Sequence, residues 1–185
     1  MVKQMDKNIE NVLHLWFEEL EPRQHWVKDA TLDENIAARF GALHDQAKNG
    51  ALDSWRSTAK GRLAEIIILD QFSRNIYRDE SESFACDPIA RRLSIEAIQS
   101  GADKELSVDQ RAFLYMPLMH SEGKEDHQLA LKVFDQPGLE NSLDFERRHW
   151  RIIERFGRYP HRNDLLGRVS SPEEQRFLTE PGSRF

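Results

Sequence analysis

The chain of 185 residues has a single cysteine, Cys86, so it can form no internal disulfide and no multi-cysteine zinc site. Its longest aliphatic run, Ile66 to Leu69, falls far short of the roughly 20 residues that a membrane span needs. The N-terminal residues carry no basic and apolar signal pattern, and the expected compartment is the cytoplasm. No stretch alternates polar and apolar residues long enough to make a convincing strand. Glycine-rich phosphate loops, an HExxH pair and a nucleophile beside a base are also missing. Lysine is scarce, at 8 against 18 arginines, and the formal net charge of −6 argues against a nucleic-acid partner. Arginine dominance instead favours carboxylate or phosphate, which the planar guanidinium fork matches.

What is present is helical. Apolar residues make up 39% of the chain and charged residues 31%, a balance that suits one soluble globular domain spanning residues 1–185. Ile9, Val12, Leu13, Trp16, Phe17 and Leu20 line one face of a helix that opens after Asp6 and stops before Pro22. Thr31 with Glu34 predicts the capping box of a second helix, closed by Gly50. A third runs over about 58–75, and Asp87 followed by Pro88 reads as the N-cap and first residue of a fourth that ends at Gly101. Ser107 with Gln110 caps a fifth, which Pro117 is expected to kink or end before His120. Further helices are expected over 124–134 and 142–155, with a short one opened by Ser171, Pro172 and Glu174. About eight helices joined by short turns predict an all-α fold of antiparallel pairs. No clean repeat of about 34 residues is visible.

Polar residues interrupt this pattern where apolar ones are expected. Asp70 and Arg74 project from the same face as Leu63, Ile66 and Ile67, one turn apart, where burial costs desolvation that aliphatic residues would avoid. Gln71, Asn75 and Arg78 follow in the segment LDQFSRNIYR. His149 falls within the stripe of Phe145, Ile152, Ile153 and Phe156, and His120 shares a face with Phe113 and Met116, two residues before Glu122. A lone histidine on an apolar face is more often a satisfied core residue than a catalyst. Residues 147–185 carry 9 arginines and 5 acids, whereas residues 1–146 carry 17 basic residues against 27 acids. Within that basic end, RFGRYPHRN displays Arg155, Arg158, His161, Arg162 and Asn163 on a turn, an anion-binding composition that could equally be a C-capping loop.

The blocks VLHLWF (12–17), LDQFSRNIYR (69–78), FACDPIA (84–90), RAFLYMPLMHSE (111–122), and RFGRYPHRNDLLGR with SSPEE (155–174) together resemble the uncharacterised domain of unknown function 924. The resemblance runs through nearly the whole chain and implies an all-helical fold similar to tetratricopeptide-type arrays. It implies no established activity. Ser73 stands where a proline is common in that family, and Cys86 where a small hydroxyl residue is, which makes Cys86 a poor nucleophile.

Two functions follow as expectations. One is an enzyme or binding protein for an anionic metabolite, phosphorylated or carboxylated. Its pocket would form where the helices at 58–75, 107–119 and 142–155 meet the 155–163 turn. Asp70, His120, His149 and His161 would handle protons, and Gln71, Arg74, Asn75, Arg78, Glu122, Arg155, Arg158, Arg162 and Asn163 would contact the ligand. The other is a helical module whose arginines clamp an acidic peptide. A closed pocket of about 300–1,000 Å³ favours the first and an open groove the second. No cofactor is expected. A metal held by Asp70, His120, Glu122, His149 and His161 is disfavoured by the neighbouring arginines, and the same residues could instead only join helices.

Overall fold

The structure is a computed structural model and describes residues 6–184. Helix α1 (Lys7–His14) starts where the Asp6 carboxylate accepts from the Asn8 amide at 2.8 Å, and a widened π turn, Leu15–Glu19, extends it. Helix α2 (Ala30–Lys48) is capped by Asp29 rather than Thr31. Asp29 has the extended backbone, and its carboxylate accepts from the amides of Thr31 and Leu32 at 3.0 and 3.2 Å. Thr58 caps α3 (Ala59–Ile67), which passes through the π turn Ile68–Phe72 into α4 (Ser73–Ile76) as one continuous rod.

Helix α5 (Asp87–Gln99) begins one residue earlier than its sequence suggests: Cys86 holds the cap position, and Asp87 lies inside the first turn with its carboxylate turned to arginines. Helix α6 (Val108–Met119) opens with the expected Ser107–Gln110 box and runs through Pro117. The proline sits in the last turn, where its missing donor costs a single bond, and the His120 amide still reaches the Met116 carbonyl at 3.0 Å. Helices α7 (Lys124–Val133), α8 (Glu140–Phe156) and α9 (Pro172–Phe177) follow. Gly157 ends α8 at φ 69°, a left-handed conformation that favours glycine. With α3 and α4 taken as one rod, the described residues form eight helices and no strand.

The rod is the centre of the fold. It packs against α1, α2, α5 and α6, while α7 bridges α6 and α8. Leu63, Ile66, Ile67, Ile68, Leu69 and Phe72 are all fully buried, each worth about 1.5–3 kcal/mol of apolar burial. A small satellite core of Ile152, Ile153 and Tyr159, with Phe156 and Phe177 against it, lies under the C-terminal turns. Among the described residues no helix is long and apolar enough to cross a membrane.

Gly61 shows how tightly the rod is seated. A Cβ there would lie 2.1 Å from the Trp55 carbonyl oxygen, which belongs to backbone and cannot rotate away. Gly61→Ala is therefore expected to lower stability by about 1–3 kcal/mol in thermal melts, against the gain that alanine normally brings to a helix.

Candidate functional site

The π turn places Asp70 and Gln71 side by side, both buried, against the end of α6. Asp70 is fully enclosed. One carboxylate oxygen, Oδ1, lies 2.7 Å from His120 Nδ1 and 3.2 Å from Arg74 Nη1, and the other accepts from Gln71 Nε2 at 2.6 Å. Arg74 also donates to the Asp70 carbonyl at 2.7 Å and grips Asp87 with both terminal nitrogens, at 3.0 and 3.1 Å. Arg162 comes to the same Asp87 carboxylate from the C-terminal turn, at 3.4 Å. Its guanidinium lies between the rings of Phe84 and Tyr159, 4.6 and 4.7 Å from their centroids. Arg162 is only 5% exposed, and its Nε has no hydrogen-bond partner among the described residues.

Gln71, Arg74, Phe84, His120 and Arg162 of this cluster line a cavity of about 560 Å³, and Asp70 and Asp87 hold His120 and Arg74 without lining it. Gln71, Arg74, Asn75 and Arg78 line it from the rod, His120 from the end of α6, and His161 and Arg162 from the C-terminal turn. Asn75 and Arg78 share the Asp33 carboxylate, Asn75 at 2.8 Å. Four arginines line the cavity, Arg184 among them, against the carboxylates of Asp79 and Asp164. Asp79 is itself paired with Lys28. Beside the lining, Asp33 pairs with Arg78, and Asp70 and Asp87 with Arg74, so most of this positive charge is already answered within the protein.

Burial sets the protonation of the histidines. It lowers the His120 pKa below the usual imidazole value, with Asp70 opposing and Arg74 adding to the fall. Burial would raise the Asp70 carboxyl, but the charges of His120 and Arg74 win and hold it at about 2. An ionised Asp70 beside a neutral His120 fixes the Nδ1–H tautomer, so Nε2 is the basic nitrogen left to the cavity. His161 is pushed down to about 4 by burial first and then by Arg162 and Arg184. Arg162 is pulled below its ordinary value by burial and next by the Arg74 charge.

The other sequence candidates lie outside the cavity. His149 is buried behind it, with Nδ1 bonded to the Phe145 carbonyl at 2.8 Å and the ring against Tyr159. Burial holds its pKa at about 3. Helix α8, expected to contribute a wall, supplies none of the lining residues, and Phe145 of its apolar stripe is 53% exposed. Glu122 is held by Arg168 at 2.7 Å and accepts from the Tyr159 amide. Arg155 pairs with Glu173 and Arg158 with Glu174, so both brace α9 instead of facing a ligand. Asn163, fully buried, donates to Ser170 Oγ at 3.0 Å and accepts from Arg168 at 2.9 Å. Among the described residues, no three histidine, cysteine or acidic side chains stand together as a metal site.

Sequence reasoning missed the rim. Trp26 and Val27, in the connection before α2, line the cavity together with Phe84, Met116, Leu165 and Arg184. No periodicity marks them. The available signal was that Phe84, Met116 and Leu165 lie in the blocks FACDPIA, RAFLYMPLMHSE and RFGRYPHRNDLLGR.

Comparison with known proteins yields a family and a neighbour, and neither carries an activity. The family described as "Bacterial protein of unknown function (DUF924)" matches residues 12–182. The solved "Structure of Protein of Unknown Function ATU0120 from Agrobacterium tumefaciens" is similar at a TM-score of 0.88 and 36% identity, covering 92% of this chain and 96% of that chain. No curated protein matches.

Proposed function

We propose that this chain, which belongs to the DUF924 family of bacterial proteins of unknown function, binds a small phosphorylated or carboxylated metabolite and transfers protons to or from it through His120. The observation that carries this reading is Arg162: a cavity-lining guanidinium only 5% exposed, beside that of Arg74, with Asp87 at 3.4 Å as its one carboxylate contact among the described residues. Arg74 takes both Asp70 and Asp87, whereas Arg162 reaches the shared Asp87 carboxylate only at 3.4 Å, so Arg162 is the cation that an anion would pair with best. Asp70 orients His120 and would stabilise the imidazolium formed when Nε2 takes a proton, the logic of a general base and its orienting acid. Gln71, Asn75, Arg78 and His161 fill out the contact surface on this reading. His149, Glu122 and Asn163 support it from behind.

The alternative of a tetratricopeptide-like module clamping an acidic peptide draws less support. The volume of about 560 Å³ is of small-molecule size although the cavity opens at Trp26, Val27 and Leu165, and Arg155 and Arg158 already hold Glu173 and Glu174.

A thermal-shift screen with anionic metabolites tests the proposal. A true ligand at 100 times its dissociation constant stabilises the fold by about 2.7 kcal/mol, which raises Tm by roughly 5–10 °C in a chain of this size. Arg162→Lys keeps the charge and loses the fork, and is expected to weaken that ligand about tenfold. The proposal fails if no anion shifts the melt, or if the shift survives both Arg162→Lys and Arg184→Ala.

A further inference from the structure

We infer that the ligand of this cavity is amphiphilic: an oxyanion head, phosphate or carboxylate, bearing a flat apolar body that packs on the ring of Trp26. This rests on the anion-binding reading above and adds the other half of the ligand to it. The cavity is two-sided. Its floor is Arg74, Arg162 and His120, whereas its rim is Trp26, Val27 and Leu165, which are 65%, 47% and 39% exposed.

Single exposed hydrophobic residues are ordinary on protein surfaces and need no account. Here three of the largest exposed apolar side chains border one cavity, two of them contributed by the 20–29 connection and one by the C-terminal turn. The Trp26 ring is also held in place. One face stacks on Phe113 with centroids 6.0 Å apart and planes 14° from parallel, and the Trp26 amide donates to the Arg23 carbonyl at 3.1 Å. The Lys28–Asp79 ion pair ties the same connection to the end of the rod. A ring fixed on one side and open on the other is a ready stacking platform. Phe84 also lines the cavity, with the Arg162 and Arg74 guanidiniums 4.6 and 5.7 Å from its centroid, so an apolar ring stands beside the cations of the floor. A bare phosphate or acetate would occupy a small part of 560 Å³ and leave these rings unused.

Calorimetric titration with four probes tests the inference: inorganic phosphate, phenyl phosphate, acetate and phenylacetate. Each aryl anion is expected to bind about tenfold or more tighter than its bare counterpart, the advantage of burying one ring. Comparison of the two pairs identifies the head group. Trp26→Ala is expected to bring the ratio within about threefold while leaving the bare anions unchanged, and Trp26→Phe, which keeps a ring, to restore most of it. Because Trp26 is 65% exposed, these variants are expected to fold. Bare anions that bind with no aryl advantage, or an advantage that survives Trp26→Ala, would overturn this inference and leave the anion site standing. Failure of all four probes to bind would remove the anion site, and this inference with it.

Discussion

Asp70→Ala is expected to be about 3–5 kcal/mol less stable than the native protein in urea denaturation at pH 7. The carboxylate is fully buried and answers three groups at once, so its removal takes the acceptor from His120 and from the buried Gln71 amide, and one of two carboxylates from Arg74. Arg74 keeps Asp87, which places the loss toward the lower end of that range. Asp70→Asn is expected to fall between, since the amide oxygen can still accept from His120 Nδ1 but no longer offsets the guanidinium charge. An Asp70→Ala chain within 1 kcal/mol of the native protein would mean that the buried pair is not what holds the rod against α6. Because Asp70 titrates at about 2, below the usual 3.8, its contribution is complete above pH 3.8 and is lost as the pH falls toward 2.

At higher pH the histidines dominate. His149 and His161 titrate at about 3 and 4 in the folded chain, against 6.5 when unfolded. From pH 6.5 downward the unfolded chain takes up protons that the folded one refuses, so stability present above pH 6.5 declines on acidification and levels off below the folded values. At pH 5 each histidine is expected to have cost about 2 kcal/mol relative to pH 7. Urea midpoints at the two pH values measure this directly. His149→Gln, which retains a donor for the Phe145 carbonyl, is expected to shrink the difference by its own share of about 2 kcal/mol. A native protein equally stable at pH 7 and pH 5 would show that the two imidazoles are not held neutral by burial.

Much of the scaffold was legible because helix ends are local. Asp6, Ser107 and Ser171 open helices where expected, and Gly101 and Gly157 stop helices at positive φ. The cluster at 70–78 was legible because six polar residues in and just after a buried helix are an anomaly visible without coordinates. The Thr31 and Asp87 assignments failed for a different reason. Both caps depend on competition between neighbours, and Asp87 is drawn off by Arg74 and Arg162, the latter 75 residues distant in sequence. The same long-range pairing explains why Arg155, Arg158 and Glu122 turned away from the cavity: Glu173, Glu174 and Arg168 reach them first, and sequence cannot rank such partners. Trp26 was illegible because a cavity wall needs no periodicity.

The central claim is that one cavity joins the cations of the rod and the C-terminal turn to a neutral His120. Its most direct test is the ¹⁵N spectrum of the histidine side chains at pH 7, recorded with and without saturating phenyl phosphate. His120 is expected to be a neutral Nδ1–H tautomer, and the ligand is expected to shift His120 and His161 while leaving His14, exposed on α1 and outside the cavity, unmoved. A charged His120, or an anion that shifts neither His120 nor His161, would contradict the account.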